Sequence, residues 1–253
     1  MRHLVIPDCQ VKPGVDTDYL THIGKYIADK QPEKIICLGD FADMPSLSSY
    51  DVGKKSFEGR RYKKDIEATH AAMEKLFAPI DKLNRELRAG HKKKYDPEKI
   101  LLLGNHEWRI HKAVESDAKL EGTIGLEDLR YEEWGWKVHD FLDVVILDGI
   151  AYSHYFVTGV AGRPASTALA QLRKTNMSCI AGHQQGRQAA YALRADGKAI
   201  TSIIAGSCYT HNEDYLGKQG NRHWRGILML HEVNDGAFDE MWVSLKYLEE
   251  KYG

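Results

Sequence analysis

No window of this 253-residue chain approaches the ~20 consecutive apolar residues that a membrane-spanning helix requires, so no membrane partner is expected. The apolar run after Met1 stops at Pro7-Asp8, too short for the hydrophobic stretch of a signal peptide. Cysteine is scarce. Cys9, Cys37, Cys179 and Cys208 lie in or beside apolar runs, which predicts buried free thiols without disulfides and a reducing, cytoplasmic compartment. Net charge is nearly absent as well, -1 at pH 7, so global charge points to no partner. Internal repeats and low-complexity tracts are missing, and with them the repeat architectures.

What the chain has is a large apolar fraction, 43%, enough for a sizeable core. Its chemically interesting residues run from position 8 to 185 with no linker between them, so residues 1–253 are expected to form one domain. The first half reads as alternating strands and helices. Strand His3–Ile6 precedes a helix from Asp16 or Thr17 to Lys30, and strand Lys34–Leu38 follows, a parallel βαβ start. A long helix from about Lys64 to Arg88 carries the stripe Met73, Leu76, Phe77, Ile80, Leu83 and Leu87, with Pro79 predicting a kink or break. Ile100–Leu103 is a third strand, and Glu107 to Leu120 is expected to be helical.

The second half is strand-rich. Val144–Leu147 and Ile150–His154 flank Asp148-Gly149 as a hairpin. A helix over Ala165–Lys174, with Pro164 in its first turn, leads to strand Ser178–Ala181. Ala189–Arg194 and Ala199–Gly206 flank the turn Asp196-Gly197, and Gly226–Val233 and Glu240–Leu248 complete the series. The order predicts an α/β (α+β) class, with two sheets face to face and helices outside.

Four of these strands end in residues that handle metals or protons: Asp8-Cys9-Gln10, Gly39-Asp40-Phe41-Ala42-Asp43, Gly104-Asn105-His106-Glu107 and Gly182-His183-Gln184-Gln185. His154 ends a fifth. Sheets hold the loops at their strand ends rigidly, and chemistry collects there. Carboxylates, imidazoles and amide oxygens together suit divalent cations of hard or borderline character. Two such ions roughly 3.5–4 Å apart can clamp a phosphate and turn a water into hydroxide.

The series resembles the calcineurin-like metallophosphoesterase superfamily, whose pattern is Asp-x-His, Gly-Asp-x-x-Asp, Gly-Asn-His-Asp/Glu, a lone His, then Gly-His-x-His. The likeness covers residues 8–185. It implies a four-layer αββα sandwich of two mixed sheets flanked by helices, with a dinuclear centre at strand ends. It also implies that Asp40 bridges two ions, that Asp8 and Gln10 serve the first, and that Asn105, His154 and His183 serve the second. His106, oriented by Asp43, would protonate the leaving group after in-line attack of a metal-bound hydroxide on phosphorus.

Two departures stand out. Gln10 and Gln185 occupy the positions where the superfamily places histidines, both at the first ion. An amide oxygen is a harder, weaker donor than imidazole, so two divalent ions are expected, with Mn²⁺ favoured, Mg²⁺ also suitable and Zn²⁺ or Fe rejected at the first site. The alternative is a scaffold that has lost catalysis. Protein Ser/Thr phosphatases of the superfamily follow Gly-Asp-x-x-Asp with Arg-Gly, whereas Met44-Pro45 follows here, which argues against that branch.

Residues 51–100 hold 14 Lys and Arg against 9 Asp and Glu, and Lys54, Arg60 and Arg61 lie among Tyr50, Phe57 and Tyr62. Cations interleaved with aromatics suit a phosphate backbone and unpaired bases, so nucleic acid or nucleotide is the expected substrate class, with a phosphomonoester the alternative. Arg109 is a candidate phosphate contact, and His211, after an apolar strand, a candidate lining residue. A charge run is more often a solvated surface than a site, and both readings of residues 54–64 stand.

Overall fold

The computed structural model describes all 253 residues. Its strands, in chain order, are β1 (His3–Ile6), β2 (Lys34–Cys37), β3 (Glu98–Leu102), β4 (Lys137–His139), β5 (Val145–Leu147), β6 (Ile150–Ser153), β7 (Val157–Thr158), β8 (Arg163–Pro164), β9 (Cys179–Ala181), β10 (Gln188–Leu193), β11 (Ala199–Ile204), β12 (Gly226–Asn234) and β13 (Ala237–Ser244). The helices are α1 (Asp18–Lys30), α2 (Tyr62–Ala89), α3 (Trp108–Ser116), α4 (Ala168–Thr175), α5 (Gly217–Gly220) and α6 (Leu245–Tyr252).

Two mixed sheets dominate an α+β arrangement. One has the order β13-β12-β1-β2-β3-β4, the other β10-β11-β9-β6-β5, and β7 with β8 forms a small ladder. In the first sheet β1 to β4 run parallel, and β12 runs antiparallel to β1. In the second, β6, β9 and β11 run parallel, with β5 and β10 antiparallel at the edges.

Side-chain alternation sorts the core. Val5, Ile36 and Leu102 of the first sheet pack in one cluster with Tyr152, Ile180 and Ile203 of the second. Their neighbours Leu4, Ile35 and Leu101 face the other way, into a larger cluster with Ile23 and Ile27 of α1, Met73 and Leu76 of α2, and Leu248 of α6. Helix α4 lies against the second sheet, where Gln171 donates to the Ile203 carbonyl at 3.1 Å.

Register places the site. Ile6 pairs with Cys37, and Cys37 with Leu101, so β1, β2 and β3 end side by side. Ser153 pairs with Ala181, so His154 and the Gly182-His183 turn also emerge together.

Several expectations change. The long helix runs through Pro79 without a break, and α1 crosses beside it. A Cβ on Gly24 of α1 would overlap the Leu76 carbonyl, so the two backbones approach more closely there than any side chain allows. Pro164 lies in β8 rather than in a helix. Helix α4 starts later, because the Thr167 hydroxyl accepts from the Ala170 N–H and caps it. The last strand stops at Ser244, whose hydroxyl accepts from the Tyr247 N–H and starts α6, where Glu240–Leu248 was expected to be one strand. Strand β4 has no counterpart among the strands expected from the sequence. The four cysteines are buried free thiols, and no helix is long and apolar enough to cross a membrane.

Candidate metal centre

Asp40 is held by its surroundings rather than by its own preference. Its backbone is left-handed, φ 48°, as are those of Gln10 (φ 43°) and His183 (φ 65°). Such conformations cost a non-glycine residue about 1–3 kcal/mol each and persist where neighbours impose them. The fully buried Glu107 supplies part of that constraint. Its Oε2 accepts from the backbone N–H groups of Asp40 and Gly104, both at 2.9 Å, and its Oε1 from those of Ala42 at 2.8 Å and from the Tyr131 hydroxyl at 3.2 Å. Burial and the Asp40 charge push its pKa up to about 7 against these donors. Glu107 thus straps the β2 and β3 loops together and does not face the site. A Cβ on Gly104 would run into the Asp40 carboxylate, so only glycine fits between the two loops.

Three candidate ligands, Asp40, His154 and His183, have their donor atoms within 4.8 Å of one another. Asn105 joins them, since its Oδ1 lies 3.0 Å from His154 Nε2 and 2.8 Å from His183 Nδ1. His154 Nδ1 stands 2.8 Å from the Leu38 carbonyl oxygen, which can only accept, so Nδ1 carries the proton. Nε2 then has a bare lone pair facing Asn105 Oδ1 and, at 3.5 Å, Asp40 Oδ2. A cation among these groups would satisfy the lone pairs that face one another. Burial lowers the pKa of His154, and burial together with His154 lowers that of His183 to about 4, so both imidazoles are neutral at pH 7. Burial opposes the Asp40 charge, but the pKa of Asp40 is lowered all the same, chiefly by the charge of His106 and by the His106 backbone N–H that it accepts. Neutral imidazoles beside a carboxylate are the protonation state a divalent cation needs.

Asp8, Gln10 and Gln185 form the adjoining half. The buried Asp8 carboxylate accepts the His183 N–H on Oδ1 at 2.9 Å and the Gln185 amide on Oδ2 at 3.2 Å. Burial and the neighbouring Asp40 charge raise its pKa well above the usual carboxylate range. A nearby cation would relieve that penalty. Both glutamines spend their N–H groups on the protein: Gln185 on Asp8 and the His183 carbonyl, Gln10 on the Tyr215 hydroxyl. Both carboxamide oxygens, Gln10 Oε1 and Gln185 Oε1, are buried with no partner. Buried acceptors are rarely left unpaired. Free amide oxygens beside a buried carboxylate fit a hard cation better than any neutral guest.

Beside these acceptors lies a group of donors. His106 Nδ1 bonds Asp43 Oδ1 at 2.6 Å, and its Nε2 points towards Asp40 Oδ2 at 3.7 Å. Burial alone would lower the His106 pKa, but the Asp40 charge and the Asp43 bond push it up to about 9. Against its own burial, Asp43 is held well below the usual range by His106, Lys12 and Arg109. Arg109 donates to the Asp43 carbonyl at 2.7 Å, and its Nη2 lies 3.3 Å from His106 Nε2. With His106 protonated, two N–H donors meet there with no acceptor between them, an arrangement suited to an anion.

One cavity of about 1200 Å³ opens over both groups, lined by Gln10, Asp40, Asn105, His106, His183 and Gln185. Asp8 and His154 are fully buried beneath it. Lys54, Arg60 and Arg61 line the same cavity, as the sequence position of the basic segment after Asp43 suggested. Their charges are less free than expected. Asp51 takes Lys54 at 2.7 Å and Arg60 at 2.8 Å, and Arg60 also donates to the Ser56 and Pro45 carbonyls. His211 is not a lining residue, because its Nε2 is turned to Glu213 at 2.6 Å. Glu213 itself lines the cavity and bridges through Lys12 to Asp43. Sequence reasoning missed Lys12, Glu213 and Tyr215. Lys12, two residues beyond Gln10, was within reach of a motif-based search.

No family model matches the chain. The "Gene 54 protein" of Mycobacterium phage D29 is 26% identical over 188 residues, covering 72% of this chain and 68% of that one. Among solved structures, GAP50, the anchor in the inner membrane complex of Plasmodium, aligns over 100% of this chain and 87% of its own, at 13% identity and a TM-score of 0.35. A second structure aligns over 96% of this chain and 99% of its own, at 11% identity and a TM-score of 0.41.

Proposed function

We propose that this chain is a metal-dependent phosphoesterase, with Mn²⁺ or Mg²⁺ as its cofactor and two ions per chain. One observation carries the reading: potential ligand atoms of Asp40, Asn105, His154 and His183 converge beside nitrogen groups of His106 and Arg109. A cation site abutting an anion site is what phosphoryl chemistry needs. The two facing sheets with helices outside them support the four-layer αββα architecture of the calcineurin-like superfamily.

The bound cations would supply charge neutralisation at phosphorus and an acidified water for the attack. The protein's own residues do the rest. Asp40 reaches both halves of the centre. Arg109 holds a non-bridging phosphate oxygen at its Nη2. His106 Nε2 gives its proton to the departing oxygen. Asp43 keeps Nδ1 protonated, which fixes the ring so that Nε2 faces the cavity. Arg61 and the exposed Tyr50 lie on the cavity wall without consumed charge or buried ring, which favours a nucleotide or single-stranded nucleic acid over a small phosphomonoester.

The test is turnover of a chromogenic phosphodiester and a phosphomonoester with Mn²⁺ and with EDTA. The reading expects Mn²⁺-dependent hydrolysis, abolished by EDTA, with the diester preferred. Absence of hydrolysis of either ester with Mn²⁺, Mg²⁺, Ni²⁺ or Zn²⁺ would leave the scaffold alternative standing instead.

A further inference from the structure

We infer that Tyr215 is a positioning residue for the amide half of the metal centre, holding the Gln10 carboxamide so that its oxygen and not its nitrogen faces the cation. The inference rests on the reading of the site as a metal centre.

An imidazole carries one lone pair and one N–H, and a partner for the N–H settles which nitrogen faces the ion, as the Leu38 carbonyl does for His154. A carboxamide has two ends of similar shape and opposite character. Its oxygen can ligate a cation, whereas its NH₂ group directs hydrogens at the cation and is repelled. A glutamine in such a place needs a device of the same kind, an acceptor for the NH₂ group placed on the side away from the ion.

The structure has such an acceptor. The Gln10 side chain is 1% exposed, and its Nε2 donates to Tyr215 Oη at 3.3 Å. Its Oε1 is buried and without a partner. The backbone of Gln10 is fixed too, since its N–H donates to the Asp40 carbonyl at 2.8 Å. Gln185 shows the same logic with different partners: its NH₂ group goes to Asp8 and the His183 carbonyl, and its oxygen is left free.

Tyr215 is itself held in place. It lies in the short helical turn Asp214–Leu216. The loop carrying that turn is clipped shut by Asn221, which accepts from the Glu213 N–H and donates to the Glu213 carbonyl, both at 2.8 Å. Lys12 ties the same loop to Asp43 through Glu213. The phenol reaches the metal centre from a segment that contributes no ligand of its own, which is why no metal-ligand motif reveals it. Its O–H hydrogen remains free to donate into the cavity it lines.

The experiment is a Mn²⁺ titration followed by electron paramagnetic resonance of the free ion, on four full-length proteins: wild type, Tyr215→Phe, Gln10→Leu and the double variant. Phenylalanine keeps the largely exposed ring and removes only the acceptor. Wild type is expected to bind one Mn²⁺ tightly and a second more weakly. Tyr215→Phe should weaken the second by ~10-fold and leave the first unchanged, in line with loss of a partner that orients a ligand. In the Gln10→Leu background there is no amide to orient, so Tyr215→Phe should weaken the second site no further. Binding by Tyr215→Phe equal to wild type, equal weakening of both sites, or an effect that persists beside Gln10→Leu would overturn the inference and leave the metal centre intact. Absence of any Mn²⁺ binding by wild type would overturn the metal centre itself, and the inference with it.

Discussion

The two halves of the centre are built from different chemistry. Asp40, Asn105, His154 and His183 offer two neutral imidazoles, fixed by the Leu38 carbonyl and by the packing of ring on ring between His154 and His183. Asp8, Gln10 and Gln185 offer only oxygen, and their amides are aimed by hydrogen bonds to Tyr215 and Asp8. Imidazole binds borderline metals strongly whichever ion is present, whereas amide oxygen binds hard ions weakly and soft ones poorly. On the proposed reading, the imidazole half would hold its ion tightly while the amide half would fill only when a hard cation is plentiful. Asp40 lies with the imidazole half, and its charge is felt by Asp8 of the other.

The comparison can be broken first at the point where both halves meet the substrate. His106→Ala should lower turnover by ~10²–10⁴-fold, the usual contribution of a positioned acid, while Mn²⁺ content by metal analysis stays as in wild type. Loss of metal along with activity would move His106 into the ligand set. The next effect separates the halves. His154→Ala should cost the tight site more than the ~10–100-fold that loss of an orienting partner costs, and Gln185→Ala should weaken only the second site. Isothermal titration with Mn²⁺ checks both, and equal effects would erase the distinction drawn here.

A third change sharpens the comparison by removing it. Gln10→His with Gln185→His turns the oxygen half into an imidazole half and should shift metal preference from Mn²⁺ towards Zn²⁺ in competition dialysis. Wild type that already holds two tight Zn²⁺ ions would contradict the account of the amides.

The smallest expected effect is on the metal-free protein. The folded pKa of His106, about 9, lies above its ordinary value near 6.5, so the folded state holds its proton more tightly than the unfolded chain. Its contribution to stability is full below about pH 6.5 and is lost as pH rises through about 9. In EDTA, the gap in urea midpoint between wild type and His106→Asn should therefore narrow between pH 6.5 and 9.5. A gap that is constant or widens would show that His106 is not charged in the folded state.

Much of the centre was legible because strand ends carry their chemistry openly. Buried apolar runs such as Ile100–Leu103 stop at a glycine, and the next residues, Asn105 and His106, can face only the loop region. Parallel pairing then brings Asp40, Asn105, His154 and His183 together without further instruction. Glu107 was visible in the same motif, but its role was not, because it acts on backbone N–H groups that no side-chain pattern records. Tyr215 and Glu213 were hidden for a different reason: they sit in an irregular segment whose contacts are all long-range. The basic stretch misled in part, since Asp51 precedes Lys54 and Arg60 closely enough to consume their charge. The last helix was hidden by Trp242, Val243 and Tyr247 in the expected strand Glu240–Leu248, where a single serine cap outweighed the strand pattern.

The most direct measurement is diffraction at the manganese absorption edge from crystals grown with MnCl₂. The account predicts a strong anomalous peak among Asp40, Asn105, His154 and His183, and a second, weaker one among Asp8, Gln10, Asp40 and Gln185. A map with no peak at either position, or with manganese held only by surface carboxylates elsewhere, would contradict it.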